Sequence, residues 1–88
     1  MASRRRTNDL IALQILQLCM KGSSKTRVMY QANLNYFMVK SYLDNLMKSG
    51  FIIEVPTGSR IVYQTTDKGV EWKGKFERLQ TEMEGLYA

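Results

Sequence analysis

Residues 23–53 read SSKTRVMYQANLNYFMVKSYLDNLMKSGFII, and this stretch decides the fold. Ser24 is suited to cap a short helix over residues 25–32, because its hydroxyl can accept a hydrogen bond from an amide of the first turn. Residues 33–35, Asn-Leu-Asn, then form a turn, since asparagine tolerates a left-handed backbone and also caps helices well. A longer helix over residues 36–49 follows and is stopped by a glycine. The stretch therefore predicts two helices joined by a tight turn.

The longer of these helices has two distinct faces. At 100° per residue, Val39, Leu43 and Leu46 share one side, which we expect to face the core. The opposite side is mostly polar but also carries Phe37 and Met38, two large apolar side chains that are unusual on a face that meets only water. That side is therefore suited to contact another molecule.

Further helix and strand patterns flank the central stretch. Residues 9–21 predict a first helix with a wide apolar face, in which Cys19 is a small buried hydrophobe. After the longer helix, residues 52–55 and 61–63 alternate as two strands around a Pro-Thr-Gly-Ser turn, with an arginine at the tip. Thr66 is suited to cap a last helix. In this order the elements predict a winged helix-turn-helix, a mainly α (α+β) fold.

We expect the chain to divide into three segments: a basic, mobile N-terminal arm (1–8), a winged helix-turn-helix domain (9–66) and a C-terminal dimerisation helix (67–88). Apolar residues in the last segment are spaced four, three, four and three apart, which is the seam of a coiled coil. They are Trp72, Phe76, Leu79, Met83 and Leu86. They could instead fold back on their own domain, but a monomer rarely exposes such a stripe, so we expect a dimer.

The positive charge is concentrated in the first part of the chain. The net charge is +5, and residues 1–50 hold eight lysines and arginines against two acids. Residues 51–88 hold five against six acids. Phosphates of a nucleic acid would neutralise such a basic half, which indicates a nucleic-acid partner. Alternatively, the positive charge serves only to keep the protein soluble, without any nucleic-acid partner.

Composition argues against several other classes of protein. A single cysteine leaves no intramolecular disulfide, and no apolar run approaches the roughly 20 residues of a membrane span. The arginine-rich start lacks a cleavage signal, so we expect a cytoplasmic, nucleoid-associated protein. With no histidine, phosphate loop or paired nucleophile and base, we expect no enzyme, no metal and no cofactor. We identify no small-molecule ligand.

Three blocks of the chain carry a family resemblance: KTRVMYQANLNY (25–36), YLDNLMKSGFI (42–52) and TDKG (66–69). They resemble the small basic winged-helix proteins of archaea, specifically the 10-kilodalton class-a DNA-binding proteins of crenarchaeal chromatin and related transcription regulators. The resemblance implies a dimer joined by an antiparallel coiled coil of the C-terminal helices, with one winged helix at each end. The final helix is short for that pattern, so the spacing of the two heads is expected to differ.

In a winged helix-turn-helix, the third helix enters the major groove and the preceding helix crosses the DNA backbone. We therefore expect DNA contacts from Arg4, Arg5, Arg6, Lys25, Thr26, Arg27, Asn35, Phe37, Met38, Lys40, Ser41, Asn45, Lys48 and Arg60. Phe37 and Met38 could touch a thymine methyl, or could instead contact the first helix or a partner subunit. Asp44 is expected to pair with Lys48, four residues on.

These features together predict a homodimer that binds double-stranded DNA with little or weak sequence preference. It would act as a transcription regulator or as an architectural component of chromatin. The alternative from another class is a protein–protein interaction module on the same scaffold, in which Phe37 and Met38 would be interface residues.

Overall fold

The computed structural model describes the backbone of residues 2–87 and the side chains of residues 8–86. The elements are α1 (Ala2–Leu18), α2 (Lys25–Gln31), α3 (Tyr36–Lys48), β1 (Ile52–Thr57), β2 (Arg60–Thr65) and α4 (Asp67–Tyr87). The two strands form one antiparallel sheet. This mainly helical order, with a hairpin before the last helix, confirms the predicted winged-helix fold. Within residues 2–87, no helix is long and apolar enough to cross a membrane.

The predicted helix caps and the turn before α3 are confirmed. The Ser24 hydroxyl accepts a hydrogen bond from the third amide of α2 at 3.1 Å, and the Asn35 side-chain oxygen accepts one from Met38 at 2.8 Å. The Thr66 hydroxyl accepts a bond from the third amide of α4 at 3.1 Å. Between α2 and α3, Asn33 has a φ of 55°, the left-handed conformation expected of it. Hydrogen bonds between a capping side chain and the amide three residues later therefore fix the starts of α2, α3 and α4.

The first helix differs from the prediction at both ends. It begins at Ala2 rather than at residue 9, and residues 2–8 of the predicted arm belong to the backbone of α1. Arginine is a good helix former, and neither proline nor glycine interrupts these residues. The helix ends at Leu18, where the Ser23 hydroxyl donates a hydrogen bond to the Leu18 carbonyl at 2.6 Å and the Thr65 amide donates one to the next carbonyl, that of Cys19, at 2.9 Å.

The hairpin has longer strands and a shorter turn than predicted. Pro56 and Thr57 lie in β1, and Arg60 pairs with Thr57 as the first residue of β2. Only Gly58 and Ser59 remain for the turn, and Gly58 has a φ of 63°, as the first central position of a type II′ turn requires. Such two-residue turns match the twist of paired strands, which explains why the ladder continues past the proline.

One core is built from α1, α2, α3 and both strands, and α4 packs the partly buried Trp72 against it. Its buried members are Ile15, Leu16, Cys19, Val28, Val39, Leu43, Leu46, Ile52 and Tyr63. Burial raises the pKa of the Cys19 thiol to about 11, so the side chain stays protonated and acts as the small hydrophobe that was predicted. The predicted inward face of α3 is likewise confirmed.

Candidate nucleic-acid interface

The outward side of α3 is the largest part of the candidate interface. We call it the α3 face and define it by Phe37, Met38, Lys40, Ser41, Asn45 and Lys48, all of which are exposed. Four of them (Phe37, Met38, Ser41 and Asn45) border a shallow depression of about 520 Å³, together with Asn8 of α1 and Tyr42. The structure thus brings these predicted residues onto one surface.

Asn8 belongs to this surface although the sequence did not single it out. The Tyr42 hydroxyl donates a hydrogen bond to the Asn8 side-chain oxygen at 3.0 Å. The two residues are 34 positions apart, so no local pattern in the sequence could have paired them. The bond fixes the end of the depression that lies nearest to α1, and it holds the half-buried Tyr42 ring beside the core.

Asp44 pairs with Lys40, not with Lys48 as predicted. Its carboxylate accepts a hydrogen bond from the Lys40 ammonium at 3.4 Å, and both side chains are about half exposed. Both lysines lie one helical turn from Asp44, so their spacing alone could not choose between them. Exposed pairs of this kind are weak, about 0.2–1 kcal/mol, so a phosphate can compete for Lys40.

The hairpin tip lies beside the start of α2. Ser23 and Tyr63 exchange two backbone hydrogen bonds, of 3.0 and 2.7 Å, which tie the segment before α2 to β2. A groove of about 690 Å³ runs between the two elements and is bordered by Lys25, Thr26 and Arg60, among others. The bridge joins residues 40 positions apart, so the sequence predicted the three groove residues separately but not their common groove.

The starts of α2 and α3 are linked through aromatic rings. The Lys25 ammonium lies 5.4 Å from the centre of the Tyr36 ring, and that ring meets Phe37 edge to face with centroids 5.7 Å apart. Exposed cation–π contacts contribute about 0.5–1 kcal/mol, which favours this position of the Lys25 side chain but does not hold it rigidly. Lys25 is thereby held between the groove and the α3 face.

The remaining predicted DNA contacts fall into three groups. Arg27 is exposed on α2, next to the groove residue Thr26. Asn35 uses its side-chain oxygen to cap α3, which leaves its amide group as the part that can donate to another molecule. The side chains of Arg4, Arg5 and Arg6 lie outside the described residues.

The predicted seam of α4 divides into two parts. Trp72 stacks on Phe51 and Phe76, with centroids 5.4 and 5.5 Å apart, so the first two seam residues pack within their own chain. The other three seam residues, Leu79, Met83 and Leu86, are exposed in the single chain. The alternative of folding back therefore applies to the near end of α4 and not to its far end.

Comparisons with known proteins agree with the winged-helix fold. Sso10a-2, a DNA-binding protein from Sulfolobus solfataricus, has a similar structure, with a TM-score of 0.76 and 34% identity over 88% of this chain and 81% of that one. Sco5413, a MarR family transcriptional regulator from Streptomyces coelicolor, has a TM-score of 0.75 and 19% identity over 83% of this chain and 54% of the other.

A third similar structure is the homodimeric winged helix-turn-helix DNA-binding domain of Mb0332 from Mycobacterium bovis. Its TM-score is 0.70, with 18% identity over 82% of this chain and 68% of that one. A search of curated proteins returns no match. The model of the winged helix-turn-helix family matches residues 5–84, nearly the whole chain. The chain belongs to the winged helix-turn-helix family.

Proposed function

We propose that this protein binds double-stranded DNA as a homodimer, with the α3 face in the major groove and the hairpin beside it. The observation that carries the proposal is the arrangement of an exposed α3 face next to a groove bordered by Lys25 and Arg60. The relative with 34% identity, Sso10a-2, is itself a DNA-binding protein. Binding places the protein on chromosomal DNA in the cytoplasm, as a regulator or an architectural component.

The charges around the α3 face favour phosphate as the main partner. Residues 24–50 hold four cations (Lys25, Arg27, Lys40 and Lys48) and one acid, which is Asp44. Phosphate contacts fix the register of a protein on DNA without reading its sequence. Among the polar side chains of the α3 face, Ser41 and Asn45 carry no charge and Lys40 shares its charge with Asp44. Ser41 and Asn45 are therefore the two uncharged polar groups of this face that can read base edges, and so small a set supports a weak sequence preference.

The dimer rests on the far end of α4. Leu79, Met83 and Leu86 form an apolar row that a second copy would cover. The resemblance to the archaeal winged-helix proteins implies an antiparallel pairing of the two α4 helices. The Mb0332 domain, which shares the fold, is homodimeric.

Arg27→Glu tests the proposed docking. Arg27 is exposed on α2, where a phosphate contact is expected, so the change should weaken binding to every duplex alike. The matched control is Arg78→Glu, which makes the same charge change on an exposed position of α4 and should have a much smaller effect. Affinity would be measured by gel shift on two unrelated duplexes. Equal affinities of the two variants would contradict the docking.

Salt dependence separates this function from a protein–protein interaction module, which the exposure of Phe37 favours. If DNA phosphates are bound, the logarithm of the affinity should fall with the logarithm of salt, with a slope of about −0.9 per phosphate neutralised. The Arg27→Glu variant should neutralise about one phosphate fewer, so its slope should be less steep by about 0.9. An affinity that does not change with salt would favour the protein-interaction module.

A further inference from the structure

The first turn of α3 presents an aromatic ring to solvent. The Phe37 side chain is 79% exposed, and the Met38 side chain beside it is 40% exposed. The Tyr36 ring supports Phe37 from one side, with an interplanar angle of 79°. Phe37 is therefore held at the start of the helix without contributing to the buried core.

The surroundings of Phe37 decide which molecule covers it. The Lys25 ammonium lies over the Tyr36 ring, 5.4 Å from its centre, and Lys40 lies one turn along the helix from Phe37. A purely apolar partner would strip water from the Lys25 ammonium without supplying an anion to it, which is costly. A DNA groove offers phosphates to the lysines at its edges and base edges to the centre of the helix face. Charge complementarity therefore favours DNA as the molecule that covers Phe37.

The major groove contains one apolar group on its base edges, the C5-methyl of thymine. Phe37, Ser41 and Asn45 follow one another at intervals of four residues, so they form a row along the helix. Each interval is about 6 Å of helix rise, close to two base-pair steps of 3.4 Å. The polar members of the row meet polar base edges, while Phe37 meets an apolar one.

We propose that Phe37, supported by Tyr36 and flanked by Met38, contacts thymine methyl groups in the major groove and gives the protein its sequence preference. This inference rests on the proposed DNA binding and adds to it the kind of base that is favoured. Removal of a methyl group from the DNA should therefore weaken binding without any change in phosphates or base pairing.

The test compares two duplexes of the same sequence, one with thymine and one with deoxyuridine at every thymine position. The wild-type chain should bind the thymine duplex more tightly, by about fourfold for each methyl that it buries. A G·C duplex with and without 5-methylcytosine provides the converse test, since that base places a methyl at the same position in the groove. Methylation should raise the affinity.

Phe37→Ala should abolish the difference between the thymine and deoxyuridine duplexes. Because the side chain is exposed, the variant should keep the melting temperature of the parent. Arg27→Ala is the matched control, since it should weaken binding to both duplexes and leave their ratio unchanged. The Phe37→Ala comparison also removes any effect of deoxyuridine on DNA shape, because such an effect would persist in the variant.

The outcomes separate this inference from the function on which it rests. Equal binding of the two duplexes by the wild type would overturn the methyl contact and leave DNA binding intact. A ratio that persists in a folded Phe37→Ala variant would overturn the assignment to Phe37. An unchanged affinity of that variant for every duplex would show that the ring does not contact DNA and would overturn the inference. Failure of the wild type to bind any duplex at low salt would overturn both proposals.

Discussion

At Gly69 the first turn of α4 lies directly against the backbone of Phe51. A β-carbon at this position would overlap the Phe51 carbonyl oxygen, which also accepts a hydrogen bond from the Thr66 amide at 2.9 Å. The Thr66 hydroxyl donates a second bond, of 2.6 Å, to the Gly50 carbonyl. The absence of one side chain therefore allows α4 to join the end of α3 and the start of β1.

We expect Gly69→Ala to destabilise the protein by about 1–3 kcal/mol, the usual cost of forcing extra atoms into a packed site. The natural control is Gly74→Ala in the same helix, where a β-carbon would meet no atom within 4 Å. Alanine there should stabilise the helix by about 0.5–1 kcal/mol. Thermal unfolding of the two variants measures both effects. Equal melting temperatures would contradict the close approach at Gly69.

At the scale of elements, α4 has one observed role and one proposed role, which divide along its length. Its near end is anchored to the domain by the stack of Phe51, Trp72 and Phe76. Its far end, with Leu79 and Met83, is available to a second copy. Truncation of Phe76 would disturb the packing of α4 on its own domain as well as the proposed dimer. Substitutions at Leu79 and Met83, nearer the C-terminal end of α4, therefore test association more cleanly.

Leu79→Ala combined with Met83→Ala should dissociate the proposed dimer. Each truncation of a buried Leu or Met costs about 2–5 kcal/mol in a packed interface, and neither residue is buried within the single chain. Sedimentation equilibrium should then show a species near the chain mass of 10.2 kDa instead of twice that value. Thr81→Ala, at an exposed α4 position on the other side of the helix, is the control. A monomeric wild-type protein at high micromolar concentration would refute the dimer.

The elements also show which parts of the fold the sequence could predict. Ser24, Asn33 and Asn35 act through hydrogen bonds or backbone angles within four residues, so their roles were readable directly. The length of the hairpin strands could not be predicted, because Pro56 is typical of both a turn and an edge strand. The partner of Asp44 depended on a choice between two lysines at equal spacing.

At the scale of the whole molecule, the candidate interface depends on contacts between distant parts of the chain. The Ser23–Tyr63 bridge places Arg60 beside Lys25, and the bond between Asn8 and Tyr42 closes the depression on α3. The sequence predicted most members of the site from their polarity and helix position. It could not predict their grouping, because residues 34 or more positions apart leave no local pattern.

Two linked heads should bind DNA more tightly than one. The chain is 48 Å long and 26 by 20 Å across, so a dimer through the far end of α4 would hold its heads well apart. Linked heads can gain about 10²–10⁴ in affinity over a single head on long DNA, provided that both heads reach the duplex. The Leu79→Ala, Met83→Ala variant should lose that gain on a long duplex.

On a duplex that is only long enough for one head, the same variant should bind as tightly as the wild type. Affinities on the long and short duplexes, measured at one salt concentration, provide the comparison. An equal loss on both lengths would mean that the substitutions disturb the head itself, and no loss on either would mean that the heads act independently.

Trp72, the single tryptophan of the chain, lies at the junction between the head and α4. Its indole is half buried between two phenylalanine rings, so its emission wavelength reports how well the helix is seated on the domain. Any ligand, salt or substitution that loosens this junction should shift the fluorescence to the red as water reaches the ring. The protein thus carries an internal optical probe at the point where its proposed DNA-binding and pairing surfaces are joined.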